Sequence, residues 1–425
     1  MNGNLIVIHA DELATNRGFQ ARAGKTMNDL HVVQDGAVCI EDGIITAVGE
    51  TAEVMAAVDT QAFTIIDASG KAVLPGFVDS HTHFTFGGYR AEEFAWRLQG
   101  MHYMDIMARG GGIASTVAAT RQTDLASLVH TGRHRLDAML SFGVTTVEGK
   151  SGYGLDRDTE LRQLEAMAIL QREHPVDIAA TFLGAHAVPK EYRDRSDAYL
   201  DFIMADVLPL VADRGLAEFC DIFCEDKVFS VDQSRRLLGQ AKALGLKVTL
   251  HADEIVPLGG AELAAELGAV SADHLLHASD GGIQGLAKAD VVATLLPLTA
   301  FGLKEPYARG RTMIDQGCAV ALATDLNPGS CFSNSVPLLM ALATLYMELT
   351  PEEALTAITL NGAAAIDRAH RVGSLEPGKQ GDVVILKYPS YRFIPYNMGV
   401  NTVEKVIKRG CLVFDQKQGG LINAV

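Results

Sequence analysis

The chain has 425 residues, of which 48% are hydrophobic and 21% are charged, a composition typical of a globular protein with a large core. It has 36 Lys and Arg residues and 52 Asp and Glu residues, and the resulting formal charge of -16 disfavours binding to nucleic acid or anionic membranes. The first residues lack the basic start of a signal peptide, and the apolar stretch 335–347 is too short to cross a bilayer. We therefore expect a cytoplasmic protein.

Both chain ends show the alternation of apolar and polar residues that is typical of β-strands. Residues 31–50 contain short β-branched runs, and the Asp-Gly pairs at 35–36 and 42–43 predict hairpin turns. Near the other end, 381–389 and 403–414 alternate in the same way, without a long helical pattern between them. We expect the two ends to form one small β-sandwich domain together.

The middle of the chain alternates short apolar runs with amphipathic stretches. The strand candidates are 74–79, 144–148, 178–183, 217–223, 247–251, 271–276, 291–296 and 319–325. Helical spacing of apolar residues separates most of them, for example in 157–173 and 231–244. This alternation predicts an α/β fold with a parallel (β/α)8 barrel in 72–375, flanked by a β-domain made of 1–71 and 376–425. A doubly wound open sheet is the alternative fold.

Side chains that can bind a metal stand at the ends of these strand candidates. The first candidate is followed by His81-Thr-His83, and residues two apart on an extended chain point to the same side. Further residues of this kind are His186, which follows a strand candidate, His251 and Asp325, which each end one, and His274, which lies inside one. Because a barrel builds its active site at the carboxyl ends of its strands, we expect these side chains to converge.

Four of them, His81, His83, His251 and Asp325, offer three imidazoles and one carboxylate. Such a set suits a zinc or iron ion and leaves one position for water. An ion of this type lowers the pKa of bound water to about 7, so we predict hydroxide as the nucleophile of a hydrolase.

Four residues, among them the candidate ligand Asp325, are candidates for proton transfer, for orienting the substrate or for binding a second ion. Glu254 either moves a proton to or from a substrate nitrogen or stabilises the first turn of a helix. His274 is expected to orient or polarise the substrate, and Asp325 is a second candidate acceptor for the proton of water. Lys150 follows the second strand candidate and, if carboxylated, would bridge two metal ions. A binuclear site is therefore the alternative to a single ion.

Several segments resemble a known family. The His-x-His pair, the later His and Asp, and the β-domain made from both ends resemble the metal-dependent amidohydrolase superfamily. Within it, the chain is similar to the imidazolonepropionase family from about residue 30 onward. The segments that carry this similarity are FGGYRAEEF, RLQG, ARGGGIASTVAATR, VEGKSGYGLD, TFLGAHAVP, LHADE, SADHL and ATDLNPGS.

The resemblance implies an activity and a substrate pocket. The implied reaction is hydrolysis of 4-imidazolone-5-propanoate to N-formimidoyl-L-glutamate in histidine degradation. The resemblance also implies a homodimer that holds a single zinc or iron ion per chain, with Lys150 uncarboxylated. In this reaction we expect the ion and His186 to polarise the carbonyl oxygen. The implied substrate contacts are Arg90, Tyr103, Tyr153, His186, Glu254, Asn327, Gly329 and Ser330. A guanidinium group such as that of Arg90 suits the propanoate carboxylate. Ser80 and Tyr89 depart from the family pattern, so the fine substrate preference stays open.

Two other functions remain open at this point. A deaminase of the same superfamily would use a similar set of histidines and would release ammonia from an aminated heterocycle. A non-catalytic barrel used for assembly would tolerate the loss of metal ligands, but all four are present here.

Overall fold

In the computed structural model, which describes residues 3–101, 105, 109 and 111–422, the strands form three sheets. The strands are β1 (Leu5–Ala10), β2 (Glu12–Ala14), β3 (Val32–Val33), β4 (Gly36–Glu41), β5 (Ile44–Glu50), β6 (Thr64–Asp67), β7 (Ala72–Pro75), β8 (Phe77–Asp79), β9 (Val144–Lys150), β10 (Asp177–Ala185), β11 (Phe219–Cys224), β12 (Lys247–Ala252), β13 (Ser271–His274), β14 (Val292–Leu295), β15 (Val320–Leu322), β16 (Val383–Leu386), β17 (Val403–Lys408), β18 (Cys411–Asp415) and β19 (Gly420–Leu421).

Most helices lie between the strands β8 to β16. The α-helices are Thr51–Ala57, Ala91–Leu98, Ile113–Gln122, Leu125–Ser141, Arg157–Glu173, Ser196–Phe202, Leu208–Asp213, Val231–Ala243, Gly260–Leu267, Asp280–Lys288, Pro297–Leu303, Gly310–Asp315, Val336–Tyr346, Pro351–Ile358, Leu360–Ala365 and Phe393–Tyr396. Short 3-10 turns are Gly24–Asn28, Thr60–Ala62, Lys190–Tyr192 and Gln416–Gln418, and a π-helical turn is Ile203–Val207.

The strands β8 to β15 form a parallel barrel. They lie side by side in chain order, and each pairs with its neighbour in parallel. The ends of the sheet meet where His83 N donates to Leu326 O at 2.9 Å and Asp325 N donates to His81 O at 3.0 Å. This closure confirms the predicted (β/α)8 barrel and makes the alternative of an open sheet wrong.

The spacing of apolar residues predicted two of the barrel helices closely, and both helices begin with strong capping residues. The helix Arg157–Glu173 has the predicted bounds, and the Asp156 side chain accepts a hydrogen bond from Thr159 N at its start. The helix Val231–Ala243 ends one residue before the prediction and begins with a capping box formed by Ser230 and Gln233. Among the described residues, none of the helices combines the length and apolar character needed to cross a bilayer.

The two chain ends meet in one sheet, as predicted. Its strand order is β19-β18-β17-β16-β7-β2-β3, and Val384 on β16 pairs with Leu74 on β7 in antiparallel orientation. A second sheet, in the order β5-β4-β1-β6, comes from the N-terminal end alone. The domain bounds 1–71, 72–375 and 376–425 remain a prediction, and β7 pairs with strands from both chain ends although it follows residue 71.

One of the two predicted hairpin turns is wrong. The Asp-Gly pair at 42–43 joins β4 to β5, which pair in antiparallel orientation. At 35–36, however, β3 pairs with β2 in one sheet, whereas β4 pairs with β1 and β5 in the other. An Asp-Gly pair favours a sharp turn but does not select the partner of the strand that follows, so the chain changes sheets here.

A buried cation connects the end sheet to the barrel. Lys408, on β17, donates from Nζ to Asp382 at 2.6 Å and to Asp177 at 2.8 Å, and Asp177 begins the barrel strand β10. The side chains of Lys408 and Asp382 are 4% and 3% exposed. If the Lys408 ammonium group is lost, water therefore does little to stabilise the charge of the Asp382 carboxylate.

We expect Lys408→Met to lower the free energy of unfolding by about 3 kcal/mol, because it leaves the buried Asp382 carboxylate without its cation, whereas Asp177 keeps its ion pair with Arg409. The measurement is the urea midpoint followed by circular dichroism. Lys417→Met is the matched control, because Lys417 is 69% exposed in its ion pair with Glu404 and should change stability by less than about 0.5 kcal/mol. Equal midpoints for the two variants would contradict the role given to Lys408.

Candidate active site

The predicted ligands converge at the carboxyl ends of the barrel strands. Ligand atoms of His81, His83 and His251 lie within 4.8 Å of one another, and so do those of His81, His274 and Asp325. His81 Nε2 and His83 Nε2 are each 3.6 Å from Asp325 Oδ1. This separation is close to the distance of about 3.4 Å between two ligands of one tetrahedral zinc ion. All five side chains are buried.

In two of the histidines, the ring nitrogen that faces away from the other ligands, Nδ1, lies within hydrogen-bond distance of a carboxylate. His81 Nδ1 lies 2.7 Å from Asp273 Oδ2, and His251 Nδ1 lies 3.1 Å from both oxygens of Asp221. Because a carboxylate accepts, each Nδ1 carries the proton and each Nε2 carries the lone pair. Both Nε2 atoms are buried and have no hydrogen-bond partner within the described part of the chain. Buried lone pairs directed inward, with carboxylates behind them, fit a metal ion.

Lys150 lies deeper in the barrel than the candidate metal ligands and is fully buried. Its Nζ donates to Glu148 Oε1 and Asp221 Oδ2, both at 2.7 Å, and lies 3.4 Å from Asp273 Oδ2. Burial lowers the pKa of Lys150, but the three carboxylates outweigh it and raise the pKa well above its ordinary value. Lys150 is therefore an ammonium ion. A carboxylated Lys150 would place an anion among three carboxylates, so this geometry favours a site with a single ion.

Two of the five converging residues have strained backbones. Asp325 and His274 have φ angles of 51° and 73°, in the left-handed region that residues other than glycine rarely adopt. The strain aims both side chains at the same point, and Thr299 Oγ1 fixes Asp325 by donating to Oδ2 at 2.6 Å. Strain of this type is retained at functional positions where the surrounding structure enforces it.

Glu254 is half-buried in the loop that follows β12. The helix after this loop begins only at Gly260, so the alternative that Glu254 stabilises a first helical turn is wrong. Burial raises the pKa of Glu254 to about 8, and the nearby charge of Asp325 adds to the rise. A cation bound beside it would lower this pKa, because it favours the carboxylate. Glu254 Oε1 also lies 3.5 Å from His274 Nδ1.

His186 stacks on His83, with ring centroids 5.1 Å apart, and lies 3.1 Å from the Gly152 carbonyl oxygen through Nδ1. A carbonyl oxygen only accepts, so Nδ1 carries the proton. Burial lowers the pKa of His186 to about 3, which keeps the ring neutral and makes Nε2 an acceptor. The expected polarisation of a carbonyl oxygen by His186 needs a donor at Nε2, so the geometry argues against that role.

A cavity of about 630 Å³ opens above the ligands, and its far end is cationic. Arg90 Nε donates to the buried Glu93 Oε2 at 2.9 Å, and Arg97 Nη2 donates to Gly329 O at 3.1 Å. Arg90 is thus paired with a carboxylate, whereas Arg97 donates to a backbone carbonyl group. Burial lowers the pKa of Arg97, and repulsion by Arg90 lowers it further. Arg97 was not predicted from the sequence, although it lies two turns after Arg90, which precedes the first residue of the same helix.

The loop after Asp325 completes this end of the cavity. Asn327 Oδ1 accepts from Gly329 N and Ser330 N, each at 2.8 Å, so its amide shapes the turn. A Cβ atom at Gly329 would lie 2.2 Å from Arg90 Nη1, and only glycine permits this approach. Asn327, Gly329, Ser330 and the buried Tyr153 all line the cavity, but their contacts with substrate remain predictions. Tyr103 lies outside the described residues.

Comparison with known proteins assigns the chain to a family. The family profile described as "Amidohydrolase family" matches residues 72–413. The chain belongs to the amidohydrolase family. The imidazolonepropionase of Clostridium tetani is 60% identical over 97% of this chain and 98% of its own length, and that of Parabacteroides distasonis is 58% identical over 96% and 98%. These relatives confirm the predicted resemblance to the imidazolonepropionases among the amidohydrolases and identify the chain as a hydrolase.

Solved amidohydrolase structures agree in fold. An adenosine deaminase from Xanthomonas campestris, described with bound zinc, superimposes with a TM-score of 0.67 at 19% identity and covers 99% of this chain and 94% of that one. At this identity the likeness shows the fold alone. Together with the buried His and Asp cluster, the family assignment gives this amidohydrolase a candidate metal site.

We expect Asp273→Asn to weaken metal binding by about 10-fold to 100-fold, because His81 loses the carboxylate that orients its ring and makes it more basic. Competition with a chromophoric chelator measures the affinity directly. Asp226→Asn serves as the control, since Asp226 is half exposed in its contact with Lys227 and contacts no candidate ligand in the ion pairs described. An unchanged affinity in Asp273→Asn would show that this hydrogen bond does not support the site.

Proposed function

We propose that the chain opens the ring of 4-imidazolone-5-propanoate by hydrolysis and forms N-formimidoyl-L-glutamate. The observation that supports this best is the combination, in one cavity, of a ring of three histidines and an aspartate with a cationic end built by Arg90 and Arg97. A small anionic ring compound suits both ends at once. The names of the relatives at 58–60% identity agree with this substrate.

His81, His83, His251 and Asp325 are the proposed ligands of one zinc or iron ion. When bound, the ion supplies an acidified water molecule and polarises the carbonyl group of the substrate. Asp325 keeps Oδ1 toward His81 and His83, while its Oδ2 is fixed by Thr299. Asp325 is therefore also positioned as an acceptor for a proton of water.

The cavity orients the substrate through charge and hydrogen bonds. Arg90 is held by Glu93 and faces Gly329, and Arg97 lies beside it, so the two guanidinium groups bind the propanoate carboxylate. His186 Nε2, an acceptor, receives a hydrogen bond from a ring N–H of the substrate.

Glu254 moves the proton that the reaction requires. Water adds to the ring carbonyl carbon, the bond between that carbon and the ring nitrogen breaks, and the nitrogen takes up a proton. A half-buried carboxyl group whose pKa is raised toward neutral pH can deliver that proton and regain one from water. His274, next to Glu254, is positioned to orient it. The homodimer and the cytoplasmic location remain predictions.

The deciding experiment incubates the metal-loaded enzyme with 4-imidazolone-5-propanoate and follows the substrate absorbance and the products. We expect decay of the substrate, formation of N-formimidoyl-L-glutamate and no ammonia. Release of ammonia would favour a deaminase instead. A fully loaded enzyme that leaves the substrate intact would overturn the proposal and favour a barrel without catalytic activity.

We expect Glu254→Gln to lower kcat by about 100-fold to 10,000-fold, because an amide cannot transfer the proton. Metal content should stay at the wild-type level, since Glu254 is not a proposed ligand. The measurements are steady-state kinetics and elemental analysis of the same preparation. If kcat were retained at full metal occupancy, another group would have to move the proton.

We expect Arg90→Ala and Arg97→Ala to raise KM by about tenfold or more each, with a smaller effect on kcat, because both remove a cation that binds the carboxylate remote from the reacting bond. Arg97→Lys should restore part of the affinity, since it keeps the charge but not the second donor. Steady-state kinetics of the variants gives both constants. An unchanged KM in both alanine variants would place the propanoate elsewhere.

A further inference from the structure

The helix Leu125–Ser141, which packs on the outside of the barrel, carries a pair of exposed histidines. His130 and His134 are four residues apart and therefore lie on the same face of the helix. Their Nε2 atoms are 3.2 Å apart, and the two rings are nearly perpendicular, with an interplanar angle of 85°. Nothing in the proposed reaction uses either residue.

The distance between the two nitrogens matches chelation of one ion. At an ordinary metal–nitrogen distance of about 2.05 Å, a separation of 3.2 Å corresponds to a nitrogen–metal–nitrogen angle of about 103°. This angle lies between those of a square-planar and a tetrahedral site, at about 90° and about 109°. The distance between the two nitrogens therefore permits a late transition ion to bind both rings.

The charges around the pair also suit a cation. Arg133, on the same turn, is paired with Glu173 at 2.5 Å, so its positive charge is compensated. Asp137, three residues after His134, places a carboxylate on the next turn, where it lies 3.1 Å from His174 Nε2. The local charge therefore does not oppose a bound dication.

We propose that His130 and His134 form a second metal site, separate from the barrel site, for a late first-row divalent ion. Imidazole ligands suit Cu²⁺, Ni²⁺ and Zn²⁺, and Cu²⁺ binds most tightly. Without metal, the 3.2 Å contact is a hydrogen bond from the Nε2–H of one ring to the Nε2 lone pair of the other. On binding, the donating ring moves its proton to Nδ1 through solvent, both lone pairs face the ion, and water fills the other positions.

This site changes how the metal content of the protein is interpreted. Two ions per chain would suggest a binuclear barrel site with a carboxylated Lys150. The surface pair gives the second ion a different location, while Lys150 remains an ammonium ion held by Glu148 and Asp221. If the second ion binds to the surface pair, a variant without His130 and His134 loses it. If the second ion binds in the barrel, that variant keeps it.

The test adds Cu²⁺ to the metal-loaded enzyme and follows it by electron paramagnetic resonance and elemental analysis. For the wild type we expect an added equivalent whose spectrum shows nitrogen ligands. His130→Asn and His134→Asn should each weaken this binding by about tenfold or more, with kcat and KM unchanged. The matched control is His370→Asn, which removes another exposed histidine and should bind Cu²⁺ as the wild type does.

Three results would overturn the inference. The first is Cu²⁺ binding that is equally strong in His130→Asn and the wild type, because the ion would then lie elsewhere. The second is an added equivalent without nitrogen ligands in its spectrum. The third is a second Zn²⁺ that persists in the variant His130→Asn/His134→Asn, which would place it in the barrel.

Discussion

One ammonium group among three carboxylates underlies the whole site. Lys150 contacts Glu148, Asp221 and Asp273, and two of these carboxylates hold the imidazoles of His81 and His251. Such a cluster is stable in a buried place only while the charges compensate one another. With all carboxylates ionised, the cluster has an excess of negative charge, which a dication in the ring above would reduce. The same charges therefore orient the ligands and favour the ion.

The barrel geometry explains why these groups meet. Glu148 and Lys150 are two apart on β9, so both point into the barrel, and Asp221 and Asp273 lie on β11 and β13. Alternate strands of a barrel contribute the residues of one interior layer. The three strands thus build a polar layer directly below the ligands, where most barrels have apolar side chains. This polar layer orients the metal ligands from inside the barrel, and the loops that follow the strands shape the cavity on the other side of the ligands.

The sequence predicted the parts of this arrangement that depend on local patterns. Alternation placed His81 and His83 on one side of a strand, and the strand ends located His251 and Asp325. The polar layer was missed because it depends on which strands alternate around the closed barrel. A signal was present, since Asp221 and the other acids stand inside otherwise apolar strands. The change of sheets at 35–36 was also missed, because a turn sequence carries no information on the distant partner strand.

Burial determines the protonation of two titratable groups above the proposed metal ligands, His186 and Glu254. Burial lowers the pKa of His186 to about 3 and raises that of Glu254 to about 8. At neutral pH the imidazole is therefore an uncharged acceptor, whereas the carboxyl group retains a proton in a large share of molecules. A bound cation would lower the pKa of Glu254 and leave His186 neutral, because it opposes positive charge on the ring. Burial therefore makes His186 an acceptor and Glu254 a proton donor. Burial depends on the tertiary structure, so it could not be inferred from the sequence one residue at a time.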